Sequence, residues 1–126
     1  MPTQINLMGT GCSPLQAQAS VGILSNNLTA TGSSSQANAL ALPSDFNIFT
    51  TVAANTGGRL PASGNGTNPG DTYIVVNHGA STLTIYPATG GTIANGSANA
   101  GFSVSATKTA TFTYLGSNNW AAAVSA

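Results

Sequence analysis

The sequence predicts an all-β fold, a single small sandwich or barrel-like roll of antiparallel strands over residues 21–126, preceded by an N-terminal arm over residues 1–20. Three observations predict it. Apolar and polar side chains alternate in short runs, as in "STLTIYP" at 81–87, where Leu83 and Ile85 point one way and Thr82, Thr84 and Tyr86 the other. Clusters of Gly, Pro, Asn and Ser separate the runs, and no segment sustains the apolar period of a helix for long. The length, 126 residues, fits one domain with a core of its own.

Taken in order, the arm "MPTQINLMGTGCSPLQAQAS" carries an apolar knot, Ile5, Leu7 and Met8, followed by glycines. Ser13 then Pro14 is the order of a helix cap and a first helical residue, so "LQAQA" is expected to hold a short helix. "SQANALAL" is the weakest strand, since Ala and Leu also suit a helix. "FNIFTTVAA" places Phe46, Ile48 and Val52 in phase and Phe49 out of phase. "DTYIVVNH" is apolar on both faces, which suits a central strand or a buried interface. His78 before Gly79 is expected to close a hairpin between two central strands.

Pro87 ends the next strand, and Gly90 with Gly91 lets the chain turn. A short piece around Ile93 and "GFSV" follow. The clearest hairpin joins "TKTATFTYL" to "WAAAV" through "GSNN". Ala110, Phe112 and Tyr114 share its apolar face, Thr109, Thr111 and Thr113 the other, and Trp120, Ala122 and Val124 are expected beside the apolar one. The loops "NTGGRLPASGNGTNPGD" and "PATGGTIANGSANAG" are long and glycine-rich, as in loops that are functional or ordered by a neighbouring subunit.

Charge is the unusual quantity. Two Lys+Arg and two Asp+Glu make 3% of the chain, where about 25% is typical of a soluble domain. Small neutral side chains desolvate cheaply against a partner, and no net charge keeps copies apart, so an assembly subunit is expected rather than a free monomer. Nucleic acid and anionic membranes are poor partners, because only Arg59 and Lys108 could meet phosphates. No run approaches the ~20 apolar residues of a membrane span. Cys12 is the only cysteine, which points to synthesis in a cytosol rather than a disulfide-stapled secreted scaffold. "LMGTGC" lacks the basic and apolar regions of a lipoprotein signal, and the sequons at Asn27, Asn65 and Asn95 are what a Ser/Thr/Asn-rich chain produces by chance.

Asp71, His78 and a serine would be the parts of a hydrolase triad. Asp71 and His78 stand at opposite ends of one extended strand, too far apart to hydrogen-bond, and no G-x-S-x-G elbow exists. The two acids, Asp45 and Asp71, each sit at a turn and read as turn caps rather than an acid/base pair. His78, Cys12 and these acids have no metal-ligand spacing, and "GGTIANG" lacks the Lys-Ser/Thr ending of a phosphate loop. No catalytic, cofactor or metal site is expected, and the chain is not expected to be an enzyme. Tyr73, Tyr86 and Trp120 with Asn-rich loops could stack a sugar if exposed, or fill the core or an interface.

The segments "ALALPSDFNIFTTVAANTGGRLPA", "GDTYIVVNHGASTLTIYPATGGTIANGSANAGFSV" and "KTATFTYLGSNNWAAAVSA" resemble small, uncharged β-rich proteins of tailed bacteriophages, the capsid decoration or cement proteins. The pattern is Gly70-Asp71 leading into an apolar strand, the turn Asn77 to Ala80, Tyr86-Pro87, Gly90-Gly91, Lys108 to Phe112, and Trp120. "INLMGTG" is also similar to the start of such proteins. "TIANG" departs from it, because Ala94 lengthens that loop by a residue. The resemblance implies homotrimers on the outer surface of an icosahedral virion, made in the host cytoplasm and bridging subunits of the major capsid protein.

The assembly contacts expected on this reading are Ile5, Leu7 and Met8 in the arm, Thr82, Thr84 and Tyr86 on a strand face, and Gly90 and Gly91 in the loop. A tail fibre, spike or tail-tube component is the next reading, although no long fibrous repeat is present. A carbohydrate-binding adhesin module is the third.

Overall fold

Period-two alternation and frequent turn formers yield ten short strands in the computed structural model, which describes residues 24–62 and 67–125. Among the described residues the chain is all β, with no helix. The strands are β1 (Leu24–Thr29), β2 (Leu40–Ala41), β3 (Phe46–Thr51), β4 (Gly57–Arg59), β5 (Thr72–Asn77), β6 (Leu83–Tyr86), β7 (Thr92–Ile93), β8 (Phe102–Val104), β9 (Thr109–Gly116) and β10 (Asn119–Val124). The expected arm and its short helix, with Ile5, Leu7 and Met8, lie outside the described residues.

Two mixed sheets form, one of six strands in the order β1-β3-β5-β9-β10-β7 and one of four in the order β2-β4-β6-β8. From β1 to β9 each strand lies in the other sheet from the one before it. Strands two apart in sequence therefore become neighbours, and β1-β3, β3-β5, β2-β4 and β4-β6 all pair in parallel. The expectation of antiparallel strands throughout is corrected by this winding. Parallel partners need a crossover between them, and a strand of the opposite sheet supplies it here. Among the described strands, antiparallel ladders are β5-β9, β6-β8 and β9-β10, and a single antiparallel bridge joins Thr31 to Gly57.

The corner after β5 shows why the turn residues misled. His78 and Gly79 do not close a hairpin, because β5 and β6 belong to different sheets. The corner is held by Asn77, which is fully buried: its Nδ2 donates to Ser81 O and Val104 O at 2.9 Å each, and its Oδ1 accepts from Gly79 N at 2.9 Å. The buried Asn47 does similar work before β3, donating from Nδ2 to Ser44 O at 2.7 Å. At that turn the side-chain staple is Asn47 rather than the expected cap, Asp45. Asp71 does cap its own turn, with Oδ2 accepting from Asn68 N at 2.8 Å.

The core draws on both sheets. Phe49, Val75, Ala110, Phe112, Tyr114 and Trp120 from the larger sheet meet Leu83, Ile85 and Val104 from the smaller. Phe102 on β8 meets Phe112 on β9 edge to face, with centroids 5.6 Å apart. Phe49 is fully buried while Phe46 and Ile48 are half-buried, which reverses the expected phase of β3. Val52 joins the core because the strand ends at Thr51 and the alternation ends with it. The β9-β10 hairpin forms as expected, with Trp120 opposite Tyr114 and Ala122 opposite Phe112. Of "SQANALAL" only Leu40–Ala41 is strand.

Candidate functional site

Because β5 is apolar on both faces and lies centrally, its core-facing side chains leave a second apolar set on the other side. Tyr73, Val75 and Asn77 point inward, and Ile74 and Val76 point away from the core. Register extends this outward set across the sheet. Leu24 of β1 pairs with Phe46 of β3, Phe46 with Ile74 of β5, Ile74 with Thr111 of β9, and Thr111 with Ala123 of β10. A second row runs Ile48, Val76 and Thr109, and a third Thr72, Thr113 and Ala121. None of these side chains ionises. Leu24 is 59% exposed and Leu115, also on this side, 57%.

The charged residues lie outside the strands of this sheet. Asp45 precedes β3 and Asp71 precedes β5, at the same end of the sheet, while Lys108 precedes β9 at the other end, next to Asn77. Burial pushes the Tyr73 phenol above its ordinary value; the Thr67 hydroxyl opposes that shift, and the negative charges of Asp45 and Asp71 add to it. Arg59 lies on the smaller sheet, and its Nη1 donates to Gln36 O at 3.3 Å and to Ala37 O at 3.1 Å. Beside it is a cleft of about 410 Å³, lined by apolar side chains such as Leu42, Leu60 and Pro61, with Arg59 and Thr89 at its polar edge.

The expected contact residues are dispersed. Thr82 is exposed, whereas Thr84 and Tyr86 are half-buried on the outward face of the four-stranded sheet. The Tyr86 ring lies across two glycines: an added Cβ would come within 3.2 Å of Cε2 at Gly57 and 3.1 Å of Cε1 at Gly101. A tyrosine thus covers backbone that its neighbours leave bare. Gly90 is exposed at φ +84° with open space around its Cα, while Gly91 is buried and a Cβ there would meet Asn118 O at 2.5 Å. The loop after Pro87 is tied down by its own chain, with Asn99 Oδ1 accepting from Gly90 N at 2.6 Å.

The larger outward face, with Phe46, Ile48 and Ile74, is the element that sequence reasoning missed. Its signal lay in "DTYIVVNH", apolar on both sides, read together with the apolar pair that "FNIF" places out of phase with Phe49. Trp120 is 1% exposed and offers no platform for a sugar. Asp71 and His78 flank opposite ends of β5, and no cluster of three or more His, Cys, Asp or Glu occurs among the described residues. Comparison of the chain with protein-family models, curated protein sequences and solved structures finds no match.

Proposed function

We propose that this chain is a structural subunit of a tailed-phage virion, a decoration protein that stabilises the icosahedral capsid by bridging major capsid subunits. It works as a homotrimer on the outer capsid surface after synthesis in the host cytoplasm, with neither nucleic acid nor membrane as a partner. We take the two mixed sheets to be a small sandwich closed over one core. The observation that carries the reading is the uncharged outward face of the six-stranded sheet, on a chain with only four charged side chains. The resemblance of residues 37–126 to cement proteins adds the location.

Cohesion without charge suits such a task. Contacts among Thr, Ala and Ile are screened little by ions, so occupancy should hold from about 0.1 M to about 1 M salt, over which exposed charge pairs fade. The test is to add the purified chain to undecorated shells and count the copies retained per particle. Hundreds of copies, held at both salt levels, are expected. A handful of copies would place the chain in the tail, and none would overturn the virion reading.

A further inference from the structure

The three parallel strands of the smaller sheet stop at one level, and each is stopped in the same way. The rungs at their ends run from Leu42 N to Arg59 O at 3.0 Å and from Leu60 N to Tyr86 O at 2.9 Å, and the residues after Leu42, Leu60 and Tyr86 are Pro43, Pro61 and Pro87. Proline has no N–H with which to extend a ladder, so the three segments part there. The cleft of about 410 Å³ opens where they part, lined by the last residues of β2 and β4 and by those just past β2, β4 and β6. We propose that this cleft binds a small carboxylate with an apolar body, a site that goes beyond the virion reading and does not rest on it.

Size and lining are those of a small-molecule site, for which about 300–1,000 Å³, mostly apolar walls and a few polar groups are usual. Leu42, Leu60, Pro61 and Ala88 supply the wall, and no acidic side chain lines it. Arg59 supplies the charge. In a chain with only four charged side chains this cation is half-buried, and its bonds go from Nη1 to neutral carbonyls, Gln36 O and Ala37 O. Among the described residues no carboxylate pairs with it, since Asp45 and Asp71 precede strands of the other sheet. A half-buried cation without a counter-charge is costly until an anion meets it, and a carboxylate matches the two-pronged donor set of a guanidinium. An inorganic anion would leave the apolar wall uncovered, and a neutral apolar molecule would leave the charge unmet. A carboxylate on a short hydrocarbon satisfies both.

The test is a titration of the full-length chain with hexanoate, followed residue by residue through amide chemical shifts, with hexanol and acetate as probes that keep only the body or only the charge. Hexanoate is expected to bind saturably with a dissociation constant of about 1 mM, moving Leu42, Leu60, Ala88 and Thr89, and hexanol and acetate to bind about tenfold more weakly or less. Arg59→Gln, which keeps an amide donor on a shorter stem, is expected to weaken hexanoate about tenfold and leave hexanol unchanged, while Lys108→Gln, at the other cation, changes neither. Thr89→Trp narrows the mouth from an exposed position and lowers affinity for hexanoate with Arg59 still in place. Wild-type affinity in Arg59→Gln overturns the proposal, and if that variant does not fold, wild-type affinity in Thr89→Trp overturns it instead. So does hexanol bound as tightly as hexanoate, or a set of hexanoate shifts that falls on Ile74 and Thr111 rather than on the cleft. Binding that appears only after residues 1–23 are removed would assign the cleft to the chain's own N-terminal segment and overturn the proposal equally. Shell occupancy plays no part in these readings, so failure here and failure of the virion proposal are separate results.

Discussion

Residues 24–86 and the terminal hairpin of residues 109–124 are built from the same kinds of short strand, yet the chain connects them in opposite ways. In the first region it winds, crossing from sheet to sheet at every corner, so β1, β3 and β5 stack in parallel, as do β2, β4 and β6. In the second it folds back on itself, and β9 and β10 form a hairpin against β5. The winding region is pinned by buried polar side chains at its corners, Asn47 and Asn77, and the closing region by large aromatic side chains, Phe112, Tyr114 and Trp120. Corners between sheets leave backbone groups without ladder partners, which a buried asparagine can satisfy. A hairpin satisfies its own backbone and is free to spend its side chains on packing.

That contrast is broken most severely by Trp120→Ala. Trp120 meets Tyr114 with centroids 4.9 Å apart and Tyr73 at 5.6 Å, edge to face, so its ring joins the closing hairpin to the central strand of the winding region. Truncation leaves a cavity among side chains that cannot collapse into it, at an expected cost of about 3–5 kcal/mol in urea-induced unfolding. A midpoint unchanged from wild type would mean that the C-terminal strand is an appendage rather than a wall of the core.

Asn77→Ala attacks the other device. It leaves Gly79 N, Ser81 O and Val104 O without the side chain that meets them, each a buried or part-buried group whose loss costs about 1–3 kcal/mol when nothing replaces it. Relaxation and water entry at the corner reduce the sum, so a total of about 2–3 kcal/mol is expected, below that of Trp120→Ala. Equilibrium unfolding of the two variants side by side ranks them. An Asn77→Ala protein as stable as wild type would show that the corner holds without its staple.

The same contrast explains which parts of the fold were legible. Strand positions follow from alternation, and in β6 and β9 the buried residues, Leu83 and Ile85, then Ala110, Phe112 and Tyr114, are the ones the pattern names. Pairing is a different matter. "NHGAS" at a corner and "GSNN" at a hairpin use the same turn-forming residues, so nothing local separates a chain that crosses to the other sheet from one that folds back. In β3 the phase was hidden because both faces are apolar and the inward set includes a polar residue, Asn47, whose Nδ2 donates to the distant Ile74 O as well as to Ser44 O. The candidate face was hidden for the same reason: it exists only when register lines Phe46 up with Ile74, and register depends on the parallel pairing.

Tyr73 sits where the two regions meet, on β5 and against Trp120, and it gives the smallest and most specific effect. Burial raises its phenol above the unfolded value of about 10, so the folded chain holds the proton more tightly than the unfolded one. The sign follows from that difference. Below about pH 10 both states are protonated and the contribution is fully present. As pH rises through the folded value, the unfolded chain has already lost its proton, and the preference of the fold for the neutral phenol is lost as stability. Wild type should therefore lose urea resistance more steeply than Tyr73→Phe as pH rises above about 10, while the two curves run parallel at neutral pH. Curves that stay parallel through the alkaline range would show that the Tyr73 phenol is not held by the seam between the winding and closing regions, and that Trp120 makes the junction without it.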